Sequence, residues 1–231
     1  MAFEIGKYHF ISGSILEGLP KHELNLLKER MARRELKRGT IIFREDSYPK
    51  GVYFLRKGKV KIYQVGAEGK EQIVYIYTKG ETFGYRPILC NEKHPVSAKT
   101  LEDSVISFIP LDSFLKVLSK STALSNKLLR NLSHEFSVWI NRISAFAQKG
   151  LRERIALSLL ILNEKYKKKG KEHLPVGISI SRDDFANYLG TSKEPLVRAL
   201  RAFKDEKLIR TKGRKIIVLD TKKLEKIAEF Y

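Results

Sequence analysis

Cysteine is almost missing from this chain. Of 231 residues only Cys90 carries a thiol. No intramolecular disulfide framework is possible, and no iron–sulfur cluster held by four thiolates of one chain. That scarcity suits a cytoplasmic location. Long hydrophobic runs are missing too. No stretch reaches the roughly 18 apolar residues of a membrane span, and the opening MAFEIGKYHF has no signal-peptide core. Histidine is thin: His9, His22, His94, His134 and His173 are scattered without ligand spacing. No zinc motif, P-loop or nucleophile–base pairing is visible, which sets an enzyme aside. Acidic residues are in deficit, 26 against 45 Lys and Arg, for a formal charge of +19. Such an excess favours a polyanion, either nucleic acid or an anionic membrane. From Leu151 onward 20 Lys and Arg face 11 Asp and Glu, a net +9 over 81 residues that leaves +10 for the first 150. The C-terminal third is the more basic per residue.

What is present centres on Ile180–Phe203, ISRDDFANYLGTSKEPLVRALRAF. The spacing predicts two short helices and a tight turn. Phe185, Ala186 and Leu189 share a face of the first. Gly190 follows where positive φ is needed. Ser192 offers a capping hydroxyl, and Pro195 sits in the next first turn, where a missing N–H costs nothing. In the second helix Leu196, Ala199, Leu200 and Phe203 form a buried stripe, and Glu194, Val197, Arg198 and Arg201 the opposite one. A helix presenting Lys193, Glu194 and Arg198 suits the major groove. Arg forks onto guanine, Lys reaches it, and Glu accepts from cytosine. A basic hairpin with Lys212-Gly213 at its tip lies between Ile209 and Ile216-Ile217-Val218. Val176, Ile178 and Ile180 alternate as a short strand ahead of the helices. The sum is a winged helix-turn-helix, with Ser181, Arg182, Lys212 and Arg214 placed to touch phosphates.

Upstream the rhythm differs. Residues 14–31 look helical, with Pro20 able to open a helix and Leu24, Leu27 and Met31 on one face. Short runs rich in Val, Ile and Tyr follow, from Ile41 to Ile109, separated by Gly-containing turns, the last stopped by Pro110. They read as an antiparallel barrel or sandwich. Leu111–Leu118 is a short helix, and a long one runs from Thr122 to Gln148. Within it Leu129, Leu132, Phe136, Trp139, Ile143 and Phe146 repeat as a coiled-coil seam. That seam pairs two subunits or is buried inside one. Leu124, Leu128 and Ile140 sit beside it, able to pack on the helix's own β-domain. Gly150 marks a hinge. Leu151–Lys168 is a further helix, with Ile155, Leu159 and Leu162 on one face. Lys167-Lys168-Lys169-Gly170-Lys171 is then a solvated loop that either touches phosphates or aids solubility.

This order of parts resembles the Crp/Fnr family of bacterial transcription regulators. The resemblance covers about Ile15 to Leu224. It rests on Lys37-Arg38-Gly39-Thr-Ile-Ile-Phe43, Val52-Tyr-Phe-Leu-Arg-Lys-Gly58, Lys79-Gly80-Glu-Thr-Phe-Gly84 and Asp183–Leu208. It implies an α+β fold: an N-terminal antiparallel, jelly-roll-like β-roll (1–120), a dimerisation helix (121–149) and a C-terminal winged helix-turn-helix (150–231). It implies a homodimer reading palindromic double-stranded DNA, with RNA polymerase as a partner if the protein activates. In this family a Glu and an Arg four residues apart read bases, matched here by Glu194 and Arg198. Lys193 stands where many members carry a basic base-reader, and Ser192 matches a phosphate contact. The alternative is a small-molecule-binding β-roll module with only weak nucleic-acid binding.

The sensor pocket, centred on Gly84, Tyr85, Arg86 and His94, departs from the family's nucleotide-binding pattern. Members that bind cyclic AMP carry Glu after the Gly of Phe83-Gly84, and here Tyr85 follows. Their Arg-Ser pair, whose Arg holds the cyclic phosphate, falls at His94-Pro95. A neutral imidazole is a poor substitute for a bidentate guanidinium. Arg86 is close enough to take over but has no matching motif position. Cys90 and His94 stand four apart and are both possible haem ligands, yet they read more simply as a buried thiol and a surface imidazole. No cofactor is therefore expected, and cyclic AMP is expected to bind weakly or not at all. Calorimetric titration checks this, and micromolar affinity would contradict it.

Overall fold

Runs rich in Val, Ile, Tyr and Phe build the first half of the chain into two sheets. The computed structural model describes residues 3–10, 14–167 and 175–229. His173 and the basic run beyond Lys167 lie outside the described residues. The chain divides into two units, Ile11–Glu135 and a second made of Met1–Phe10 with Phe136–Tyr231. The division falls inside the long helix and groups the N-terminal segment with the C-terminal unit, where the sequence places a hinge at Gly150.

The first unit opens with α1 (Lys21–Glu29), followed by β1 (Ala32–Leu36), β2 (Ile41–Phe43), β3 (Gly51–Lys57), β4 (Val60–Val65), β5 (Glu71–Tyr77) and β6 (Thr82–Phe83). Then come α2 (Arg86–Cys90), β7 (Ser97–Thr100), β8 (Ser104–Pro110) and α3 (Leu111–Leu118). The strands form two antiparallel four-stranded sheets, ordered β1-β8-β3-β6 and β2-β7-β4-β5. Aromatic rings from both sheets meet. Phe43 lies 5.7 Å from Tyr53, Tyr53 lies 5.3 Å from Phe83, and Phe83 lies 5.0 Å from Tyr77. Helices cover part of the roll through a cluster that includes Leu27, Val52, Ile109, Phe114, Leu124 and Leu128. The helix expected over 14–31 shortens to Lys21–Glu29, because Pro20 is extended at φ −53°, ψ 142° and serves as its N-cap. Two strands escape the sequence pattern. ARREL of β1 is mostly exposed and becomes a strand by pairing along β8, from Ala32 with Phe108 to Leu36 with Ser104. SAKT of β7 is held between β2 and β4.

Helix α4 (Thr122–Gln148) is 27 residues long. Leu124 and Leu128 are buried, as are Glu135, Val138, Arg142 and Ala145 further along. Ile140, read in the sequence as able to pack on the helix's own β-domain, is instead 52% exposed. It follows Trp139 and lies four residues after Phe136, so the helical repeat carries it onto the outward face. Leu129, Phe136 and Ile143 are exposed on that face, whereas Leu132, Trp139 and Phe146 are half-buried.

In the second unit α5 (Leu151–Lys165) is buried continuously from Ile155 to Leu162, more than the single face its sequence advertises. It is flanked by α8 (Thr221–Glu229), α6 (Arg182–Leu189) and β9 (Gly177–Ser179), which leaves it no solvent side over that stretch. Helix α7 (Lys193–Asp205) and strands β10 (Ile209–Lys212) and β11 (Lys215–Val218) complete the unit. The sheet order is β10-β11-β9. No described helix is long and apolar enough to cross a membrane.

Candidate nucleic-acid interface

The reading motif is assembled by capping and core packing. Ser181 is the N-cap of α6, and its hydroxyl accepts from the Asp184 N–H at 3.0 Å. That hydroxyl is therefore occupied in the free protein. At the other end Gly190 adopts φ 66°, a left-handed conformation that a Cβ would strain, and its N–H donates to the Ala186 carbonyl. Ser192 occupies the N-cap position of α7 but makes no side-chain capping bond, contrary to the sequence expectation. Its exposed hydroxyl stays available at a helix N-terminus, where backbone donors favour an anion. Phe185 and Leu189 of α6 and Leu196, Leu200 and Phe203 of α7 are buried, which fixes the crossing of the two helices.

Opposite that core α7 exposes Lys193, Glu194, Val197, Arg198 and Arg201. Arg198 donates to Glu194 one turn earlier at 3.0 Å, and Lys193 lies 3.0 Å from Asp183. Both pairs are solvent-exposed, so neither holds its side chains strongly. Two further arginines, missed in the sequence, brace the motif from α5. Arg152 donates to both Glu206 oxygens, at 2.9 and 2.6 Å, and stands 4.9 Å over the Phe203 ring. Those hydrogen bonds hold the Glu206 carboxyl below its usual range. Arg154 donates to the Leu189 carbonyl at 2.9 Å, satisfying a helix end. Arg182 is half-buried, and its Nη1 is buried without a partner, so it is not the freely exposed phosphate contact expected. The wing hairpin turns at Gly213-Arg214, one residue later than the sequence places it, because Lys212 pairs with Lys215. Lys212, Arg214 and Lys215 are all exposed.

In the β-roll, Gly84 has φ +85°, and a Cβ there would come within 2.9 Å of the Tyr53 ring. Tyr85 is 1% exposed, and its hydroxyl donates to Glu135 Oε1 at 3.4 Å. The Arg86 guanidinium pairs with the other oxygen of the same buried carboxylate. Arg86 is therefore not free to take over the role of a phosphate-binding arginine. Glu135 would also repel a phosphate brought to this place. These residues do not fit a cyclic nucleotide. The expectation for Cys90 and His94 is reversed. Cys90 ends the short helix α2, before Asn91 in the left-handed region, and is exposed. Desolvation, then the neighbouring Glu92, push its thiol up, away from thiolate reactivity. His94 is the buried member, 2% exposed and stacked on Phe43 at 3.8 Å.

Residues 33–121 match the family model of the cyclic nucleotide-binding domain, and residues 153–227 that of the Crp-like helix-turn-helix domain. The chain is 28% identical to the fumarate and nitrate reduction regulatory protein of Yersinia pestis over 211 residues, covering 91% of this chain and 84% of that protein. It is 29% identical to the transcriptional activator protein Anr of Pseudomonas protegens over 187 residues, covering 81% and 76%. FixK2 from Bradyrhizobium japonicum shares the fold, with a TM-score of 0.77 at 21% identity over 87% of this chain and 98% of that one. Fold, motif and relatives together define a DNA-binding transcription regulator rather than an enzyme. The chain belongs to the Crp/Fnr family.

The buried imidazole makes this fold acid-sensitive. Burial pushes His94 down to about 4, from an ordinary value of 6.5. The unfolded chain therefore takes up a proton before the folded one as pH falls. The stability that His94 contributes is fully present above pH 6.5 and is lost progressively toward pH 4. The loss amounts to roughly 2–3 kcal/mol. His94→Phe keeps a ring on Phe43 and is expected to flatten that part of the stability profile. Denaturant unfolding of both proteins at pH 7 and near pH 4.5 measures the difference.

Proposed function

We propose that this regulator acts as a cytoplasmic homodimer on palindromic sites, with residues 1–120 as an effector-type domain, 121–149 as the dimerisation helix and 150–231 as the DNA-reading domain. The observation that carries the reading of bases is the outward stripe of α7, where Lys193, Glu194, Arg198 and Arg201 all stand exposed on a helix whose other side is core. Arg198 and Glu194 read base edges. Lys193 and Arg201 support them, and Ser192, Lys212 and Arg214 hold phosphates, with Ser181 and Arg182 at the edge of that contact.

Pairing is supported by the outer face of α4. Leu129, Phe136 and Ile143 are 62%, 67% and 66% exposed in the single chain, and Leu132, Trp139 and Phe146 complete the seam. Burying each of the large exposed side chains against a second copy contributes on the order of 1.5–3 kcal/mol. Two copies would set two reading helices about one turn of duplex apart. The region around Gly84, Tyr85, Arg86 and His94 remains the candidate sensor, with a signal other than cyclic AMP. RNA polymerase is the expected further partner if the protein activates.

Selection of bound duplexes from a random DNA pool is expected to return a palindrome. A pool with no common sequence would favour a β-roll module that binds nucleic acid only weakly. Against the selected site Arg198→Ala should cost roughly 1–3 kcal/mol and loosen base preference at one position per half-site. Lys212→Ala should weaken all sequences about equally and reduce the salt slope by ~1. Equal, sequence-blind losses in both variants would contradict the assigned roles. Phe136→Glu is expected to give a solution mass of one chain, with specific binding lost. A dimer of unchanged affinity would remove the seam from the interface.

A further inference from the structure

Arg142 is a charged side chain in a place that has no evident need of one. It lies on the buried face of α4, 6% exposed. Among the described residues its one side-chain hydrogen bond is to a neutral hydroxyl rather than a carboxylate, and its Nε is buried without a partner. Its guanidinium is held in other ways. Its carbon is 5.1 Å from the centre of the Trp139 ring and 5.2 Å from that of Tyr188, and Nη2 donates to the Tyr188 hydroxyl at 2.6 Å. Tyr188 is itself 3% exposed.

An apolar side chain of similar length would pack here without the desolvation that a buried cation suffers. What it would not supply is direction. A planar guanidinium against two rings, with one charge-assisted hydrogen bond, admits few arrangements. The two rings belong to different functional parts. Trp139 is three residues from Arg142 on the long helix, beside the exposed Phe136, Ile140 and Ile143. Tyr188 lies in the last turn of α6, next to Leu189 and the Gly190 turn that leads into α7.

We infer that Arg142 is a positioning residue for DNA reading, which sets α6, and through it the reading helix α7, against the C-terminal half of the long helix. Arg142 touches no DNA itself. It acts by joining the Trp139 side of the seam to the Tyr188 side of the helix-turn-helix. The assignment rests on the DNA-reading role given to α7.

The test uses the full chain and four proteins: wild type, Arg142→Met, Arg142→Lys and Tyr188→Phe. Each is titrated with the duplex selected from the random pool and with random-sequence duplex. The single tryptophan of the chain, Trp139, reports from inside the contact. Arg142→Met is expected to lose about tenfold in affinity for the selected duplex. Its affinity for random duplex and its solution mass should stay the same. Tyr188→Phe is expected to lose about threefold, with the ring contact retained and the hydrogen bond gone. Arg142→Lys should not restore binding, because an ammonium cannot lie flat between two rings. The wild-type tryptophan emission should shift when the selected duplex is added, and in Arg142→Met it should not.

Wild-type discrimination in Arg142→Met overturns the inference, whatever happens to its melting temperature. If that variant does not fold, Tyr188→Phe decides alone, and undiminished discrimination in it is the overturning result. Failure of the DNA-reading assignment looks different. Wild type would then prefer no sequence at all, and the inference would fall with it.

Discussion

A helix with apolar residues on two sides has to find two covers, and that constraint organises this chain. On one side of α4 Leu124 and Leu128 are sealed into the β-roll unit, and Val138 and Ala145 are buried further along. On the other side Leu129, Phe136, Ile140 and Ile143 face solvent in the single chain. A single-sided amphipathic helix of this length would have needed only the first set. The second set is what a second copy of the chain would cover, in the proposed dimer. Moving Ile140 from the inner to the outer side strengthens that case, because it widens the apolar stripe beyond a narrow seam.

The same helix carries two buried charges, seven residues apart and therefore on one side of it. Glu135 accepts from Tyr85 and pairs with Arg86, and Arg142 holds Trp139 and Tyr188. Each of these charges would be costly alone, and each has at least one partner on another element, Tyr85 and Arg86 for Glu135 and Tyr188 for Arg142. Glu135 engages the loop and short helix that follow β6, and Arg142 engages the first helix of the reading motif. Apolar residues in these places would stabilise the helix without saying which neighbour it must meet. Charges of opposite sign, with partners of fixed geometry, limit the choice. The pair Tyr85–Glu135 also explains why the departure at position 85 matters. The tyrosine is a buried structural side chain there, and the carboxylate it meets is already supplied by the protein.

Regular patterns were legible in the sequence, and exceptions to them were not. The helix-turn-helix could be read because Gly190, Pro195 and the two apolar stripes obey local rules of capping and periodicity. The long helix could be read for the same reason. Strand β1 was not legible, since ARREL has no strand-like alternation and exists only through its partner β8. Burial of single polar residues was invisible too. The i, i+4 spacing of Cys90 and His94 carries no information about which one turns inward. Stacking on Phe43, distant in sequence, decides it. Arg142 and Arg152 look in the sequence like any two basic residues of a basic chain. A tertiary partner, Tyr188 or Glu206, separates them from the solvated ones. The capping roles of Ser181 and Ser192 show the limit of local rules: both sit at N-caps, and only Ser181 makes the side-chain bond.

That difference between the two serines bears on how the proposed reading would work. In the free protein the three α7 groups Lys193, Glu194 and Arg198 are occupied by weak partners. Arg198 is held by Glu194 and Lys193 by Asp183, all four well exposed. Such pairs contribute little and separate with little penalty. They do, however, keep side chains of opposite charge close to one another on the helix surface. A guanine offered to Arg198 alone would leave Glu194 facing the groove without a donor, and a carboxylate left in that state is expensive near phosphates. Only a step that presents an acceptor to the arginine and an amino group to the glutamate satisfies both. On this argument selectivity comes from the pair acting together, and the ion pair of the free protein is the arrangement that the correct bases replace.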